Sequence, residues 1–218
     1  LGAILCVSSL RFVNEGWVPL FYGEPTFFFH YWAAPFVRPM DAGSMEVLYL
    51  TMSGLAACMA VGLMFRLSTA LLLVLFTYAE LCDVTNYLNH YYQVSLLLGL
   101  LLVSPAGRVL SVDARLWPGR ARSHVPMVFY ALLRFQVGLV YVFAAVAKWE
   151  SDWLVHAQPL QIWMHSRSDL PVVGAFLGRF DVALAMSWAG MLNDLFAVPL
   201  LMHRRTRPVA YAMIAVFH

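Results

Sequence analysis

The stretch Met127-Val-Phe-Tyr-Ala-Leu-Leu-Arg-Phe-Gln-Val-Gly-Leu-Val-Tyr-Val-Phe-Ala-Ala-Val-Ala-Lys148 decides the fold class. It is apolar almost throughout, and charge enters only at Arg134 and at its final residue. Its length matches the roughly 20 residues that a helix needs to cross a bilayer. The whole chain agrees with this reading. It is 61% hydrophobic, 15% aromatic and only 12% charged, with a mean hydropathy of +0.71. A soluble domain carries about 25% charged residues. The expected fold is therefore all-α, a polytopic transmembrane helical bundle. Its first partner is the lipid bilayer.

Working outward from 127–148, six further apolar segments recur, at 1–13, 44–64, 67–87, 90–104, 182–202 and 207–218. The segment 90–104 is short for a span and is expected to be broken or tilted. Loops rich in aromatic residues and proline (16–43), in arginine (104–126) and of mixed character (149–181) separate them. The chain starts without Met inside an apolar segment and stops within another. This leads to the expectation of a single domain over 1–218, truncated at both ends.

Charge sorts onto two sides. One side collects Arg66, Arg108, Arg115, Arg120, Arg122, Arg204, Arg205 and Arg207, with Asp113 its one acid. The other collects Glu15, Glu24, Asp41, Asp83, Glu150, Asp152, Asp169 and Asp181. The positive-inside rule makes the first side cytoplasmic and the second periplasmic or lumenal. The net charge of +2 gives no basis for a nucleic-acid partner. Cys6, Cys58 and Cys82 sit in apolar surroundings without metal-ligand spacing and read as small buried hydrophobes. No metal is expected, and no hydrolase, zinc-protease or nucleotide-binding pattern is present.

The polar groups inside the apolar segments carry the chemistry. Glu80, Arg134 and Asp194 fall within spans, where each needs a partner or a water-filled cavity. The structural reading is an ion pair, Arg134 with Asp194 or Glu80. The functional reading is a polar chamber in which Arg134 and Gln136 donate to an anion or a quinone oxygen. Lys148 is the single lysine against thirteen arginines. It reads either as an interface anchor beside Trp149 and Trp153 or as a base, because lysine can lose its proton when desolvated and arginine cannot. Asn89-His90 stands at an unusually polar junction, Asp83-Val-Thr-Asn-Tyr-Leu-Asn-His90, and reads either as structural or as a proton-handling pair. A haem site would need facing histidines within spans, which only His90 and His218 approach.

The run His124-Val-Pro-Met-Val-Phe-Tyr-Ala-Leu-Leu-Arg-Phe-Gln and its continuation through Lys148-Trp-Glu-Ser-Asp-Trp-Leu154 resemble vitamin K-dependent gamma-carboxylase. More broadly they resemble the membrane domain that enzyme shares with bacterial relatives, the horizontally transferred transmembrane (HTTM) domain. Asp83 to His90, Ser111-Val-Asp, Asp194-Leu and the terminal Phe-His218 extend the resemblance over the fragment. It implies oxidation of vitamin K hydroquinone, or a related quinol, by O2, coupled to CO2 addition to glutamate side chains of a protein or peptide substrate. It further implies Lys148 as the base and His90 as its assistant, and Asn89, Arg134, Tyr141 and His218 are expected to bind the quinol. Animal members carry a double lysine where this chain has Ala147-Lys148, which fits a bacterial relative. A quinol-oxidising or quinone-binding protein of the same fold, without carboxylation, is the alternative.

Overall fold

The fold is known from a computed structural model that describes residues 1–121 and 124–217, with the side chain of Arg120 left out. The chain divides into two compact units, Leu1–Leu133 and Arg134–His218.

In the first unit, α1 (Gly2–Asn14) leads through the short α2 (Trp17–Tyr22) and a loop to α3 (Ala42–Val61), α4 (Phe65–Leu81) and α5 (Asn89–Val103). Asp41 opens α3 by accepting from the Ser44 amide and hydroxyl at 3.0 and 2.6 Å, which satisfies an amide that the first helical turn leaves unpaired. Helix α1 packs on α3. Gly2 lies against the Ala56 and Ala60 backbone with no space for a Cβ, and Ser53 donates to the Cys6 carbonyl at 3.2 Å. The core collects Met45, Met52, Leu72 and Leu98 beneath the hydrogen-bonded hydroxyls of Tyr22 and Tyr49. Gly62 ends α3 with φ of 71°, a left-handed cap that glycine adopts without steric cost. A bend of 46° separates α5 from the helical segment Ala106–Leu116, which ends in α6 (Val112–Leu116). The segment 90–104, expected to be broken or tilted, forms the continuous α5, and the bend follows it at Ser104-Pro105, where proline removes a backbone donor.

Helix α7 (Met127–Ala147) crosses the boundary between the units. The second unit continues through α8 (Ser151–Leu154), α9 (Leu160–His165) and α10 (Gly174–Leu177) to α11 (Phe180–Met202) and α12 (Arg207–Phe217). Thr206 and Arg207 donate to the Leu200 and Leu201 carbonyls at 2.7 and 2.9 Å. They occupy carbonyls that the end of α11 leaves without helical partners.

Helices α3, α7 and α11 are each long and apolar enough to cross a membrane, and the bent pair of α5 with 106–116 makes a fourth if it is one span. Within α7 only Ala145 is buried, and Phe135, Phe143 and Val146 are exposed. An apolar surface of this size is what lipid accommodates. The chain is thus a helical membrane protein. One boundary departs from expectation. The segment expected to run to 87 stops at Leu81, because Asp83 takes the Thr85 amide and hydroxyl at 2.9 Å each and turns the chain through Val84–Asn86.

Candidate functional site

Lys148 follows the last turn of α7, and its Nζ donates to Asp194 Oδ2 at 2.7 Å. Asp194 lies in the middle of α11 and its side chain is 5% exposed, whereas that of Lys148 is 19% exposed. The carboxylate is thus sealed, and the amine is the end of the pair open to a ligand. The pair is the one ion pair among the described residues whose two members are both largely buried. A buried pair of this kind is weak evidence of stabilisation, because desolvation offsets much of the attraction. Its retention inside an apolar unit needs another reason.

The helices are arranged to permit the contact. Gly138, Tyr141, Ala145 and Lys148 follow one another at three- and four-residue steps, so they line one face of α7. Gly138 faces Val198. On α11, Asn193 donates to Asp194 Oδ1 at 3.3 Å. Both carboxylate oxygens are thereby engaged, one by the amine and the other by an amide.

Trp153 forms the wall. Lys148 Nζ lies 5.2 Å from its ring centroid, within cation–π range. The indole Nε1 donates to the Ser187 carbonyl at 2.7 Å, and the Ser187 hydroxyl returns a bond to the Trp153 carbonyl at 2.7 Å. Trp188 adds a third clamp, its indole donating to the Leu154 carbonyl at 2.9 Å. Gly190 leaves room for the rings of Phe217 and Trp153, which would lie 3.2 and 3.8 Å from an added Cβ. The amine thus sits against a fixed aromatic face.

The sequence-derived residues separate in this frame. Lys148 and Tyr141 belong to the second unit with Asp194. Arg134 is exposed and stands about 21 Å before Lys148 along the helix axis, at 1.5 Å per residue. The expected pairing of Arg134 with Asp194 is therefore replaced by Lys148 with Asp194. Glu80 belongs to the first unit, as do Asn89 and His90, which are exposed at the start of α5, with the His90 ring 4.7 Å from that of Tyr91. His218 lies outside the described residues. Sequence reading marked Asp194 as a costly charge but not as the partner of Lys148. It missed Asn193, Ser187 and Gly190, whose roles depend on contacts across the fold.

No solved structure matches the chain. The family described as HTTM domain matches residues 1–218. The chain belongs to the HTTM domain family.

Proposed function

We propose that this protein is a vitamin K-dependent gamma-carboxylase-like membrane enzyme in which the Lys148–Asp194 pair removes a proton from a hydroquinone. The observation that carries the reading is a lone lysine amine hydrogen-bonded at 2.7 Å to a sealed carboxylate and backed by a clamped tryptophan. The family match supports the reading, and the reaction class comes from the sequence resemblance.

The donor set suits a quinol: an amine for the phenolic oxygen, a cationic charge for the oxyanion that forms, and an aromatic wall for the ring. The bound hydroquinone supplies the reducing equivalents for O2, giving the epoxide and one water, and the coupled step replaces a glutamate C–H with a carboxylate from CO2. The chain's own work is the first proton transfer. Lys148 Nζ gives a proton to Asp194 Oδ2, and the lone pair so freed takes the hydroxyl proton on its open side. The proton comes to rest on the carboxyl, and the ammonium stays beside the nascent oxyanion, where it stabilises the charge as it develops. Asn193 holds the second carboxylate oxygen so that Oδ2 remains directed at Nζ. Trp153 excludes water from one side of the amine.

Of the other expected residues, Tyr141 stands on the Lys148 face of α7 and keeps its role in binding the quinol. The charge asymmetry supports a non-cytoplasmic Lys148 end in a multi-pass protein, the side on which a glutamate-containing peptide would be met. The same pair would equally serve quinol oxidation without carboxylation, and the assay separates the two. Lys148→Ala is expected to abolish hydroquinone oxidation per mole of folded protein, the activity being normalised to folded protein because the stranded Asp194 lowers stability. Epoxide formation at the wild-type rate by that variant would remove Lys148 from the mechanism.

A further inference from the structure

The first unit contains a cavity of about 500 Å3 at the turn between α3 and α4 that the proposed reaction does not use. Its wall is tied in five places. Asp113 accepts from the Met64 and Phe65 amides at 2.7 and 2.8 Å, and its own amide donates to the Gly62 carbonyl at 3.0 Å. Gly62 lies against Ser111, and Gly107 lies against Phe65, with no space for a Cβ at either position. These contacts hold the segment 104–117 onto the start of α4.

The charges in this cradle do not balance. Both oxygens of Asp113 are occupied by amides at the N-terminus of α4, so its charge is answered by the helix. Arg66 and Arg108 line the same cavity, and neither has an ion pair or side-chain hydrogen bond among the described residues. Two guanidinium forks beside a rigid wall fit a phosphate group, whose oxygens accept paired hydrogen bonds from arginine. The cavity lies where the spanning helix α3 ends, the level at which lipid headgroups lie. Its rim includes Leu67 and Trp117, both exposed and apolar. A soluble anion has no use for that rim, whereas the glycerol and first methylenes of a lipid do.

We infer that the Arg66–Arg108 cradle binds the phosphodiester headgroup of an anionic membrane phospholipid. The test uses the full chain, reconstituted in bilayers of phosphatidylcholine with phosphatidylglycerol, extracted, and examined by native mass spectrometry for retained lipid. Wild type is expected to keep phosphatidylglycerol, and the double variant R66Q/R108Q to lose its retention by roughly tenfold or more, given about 1 kcal/mol per basic residue near an anionic lipid surface. R66K/R108K, which keeps the charges and loses the forks, is expected to fall between them. Equal retention by wild type and R66Q/R108Q overturns the site. Displacement of the retained lipid by added inorganic phosphate overturns the lipid assignment and makes the ligand a soluble phosphate.

Discussion

Replacing Lys148 and Asp194 singly and together separates a structural ion pair from a catalytic one. In Asp194→Leu the ammonium loses its counter-charge inside an apolar unit, and in Lys148→Met the carboxylate is stranded. Breaking a fully buried pair costs about 3–5 kcal/mol. The partial exposure of Lys148, 19%, lets water solvate the stranded amine in Asp194→Leu, which brings that loss down to roughly 2–3 kcal/mol. Lys148→Met is expected at the upper end, because Asp194 is sealed at 5%. The double variant K148M/D194L removes both charges and leaves two apolar side chains that meet across α7 and α11. Its stability is expected within about 1–2 kcal/mol of wild type, since apolar replacement of buried pairs is often neutral or better. Hydroquinone oxidation should behave otherwise. Loss of the proton acceptor costs about 10²–10⁴-fold, and the double variant cannot regain it. The assay is thermal stability in detergent paralleled by epoxide formation in membranes. Recovery of both stability and oxidation in K148M/D194L would refute the reasoning and leave the pair a structural one.

Two further predictions address the surroundings of the pair, and a third the start of α3. Trp153→Phe keeps an aromatic face but loses the bond to the Ser187 carbonyl, so stability is expected to fall by about 1 kcal/mol and hydroquinone oxidation to fall without vanishing; unchanged melting would deny the clamp. Gly190→Val forces its methyls onto Phe217 and Trp153 and is expected to cost about 1–3 kcal/mol by overpacking, measured by thermal melting. At α3, the Ser44 hydroxyl and amide hold the Asp41 carboxyl below its usual value. The stabilising contribution of Asp41 is therefore full above the unfolded carboxylate range and is lost as pH falls through the lowered folded value. The melting advantage of wild type over Asp41→Ala should shrink on acidification below about pH 4, and an advantage constant with pH would contradict the cap.

The helices were legible because the physics that forms them is local. A bilayer demands about 20 apolar residues in a row, so α3, α7 and α11 stand out by composition. The end of α4 was less legible. Val84, Tyr87 and Leu88 are scattered through the polar run that follows, and the turn that the Asp83–Thr85 bonds make there is a local contact that composition does not show. The short helices α2, α6, α8, α9 and α10 lie in segments without a sustained apolar period. At the site, Lys148 was conspicuous because it is the one lysine in a chain that elsewhere uses arginine. Its partner was not, because the pairing of Lys148 with Asp194 rather than Arg134 depends on how far along α7 the two helices meet. Helical spacing gives the face of a residue but not its depth. Ser187 and Gly190 carry no chemical signal at all until Trp153 is placed against them.

The central claim is tested most directly by incubating the wild-type protein in membranes with vitamin K hydroquinone, O2 and labelled CO2, with and without a glutamate-containing peptide. The account predicts epoxide formation together with label in the peptide, both absent in Lys148→Ala. Epoxide without label would reduce the enzyme to a quinol oxidase of the same fold, and absence of epoxide from the wild-type protein would contradict the account.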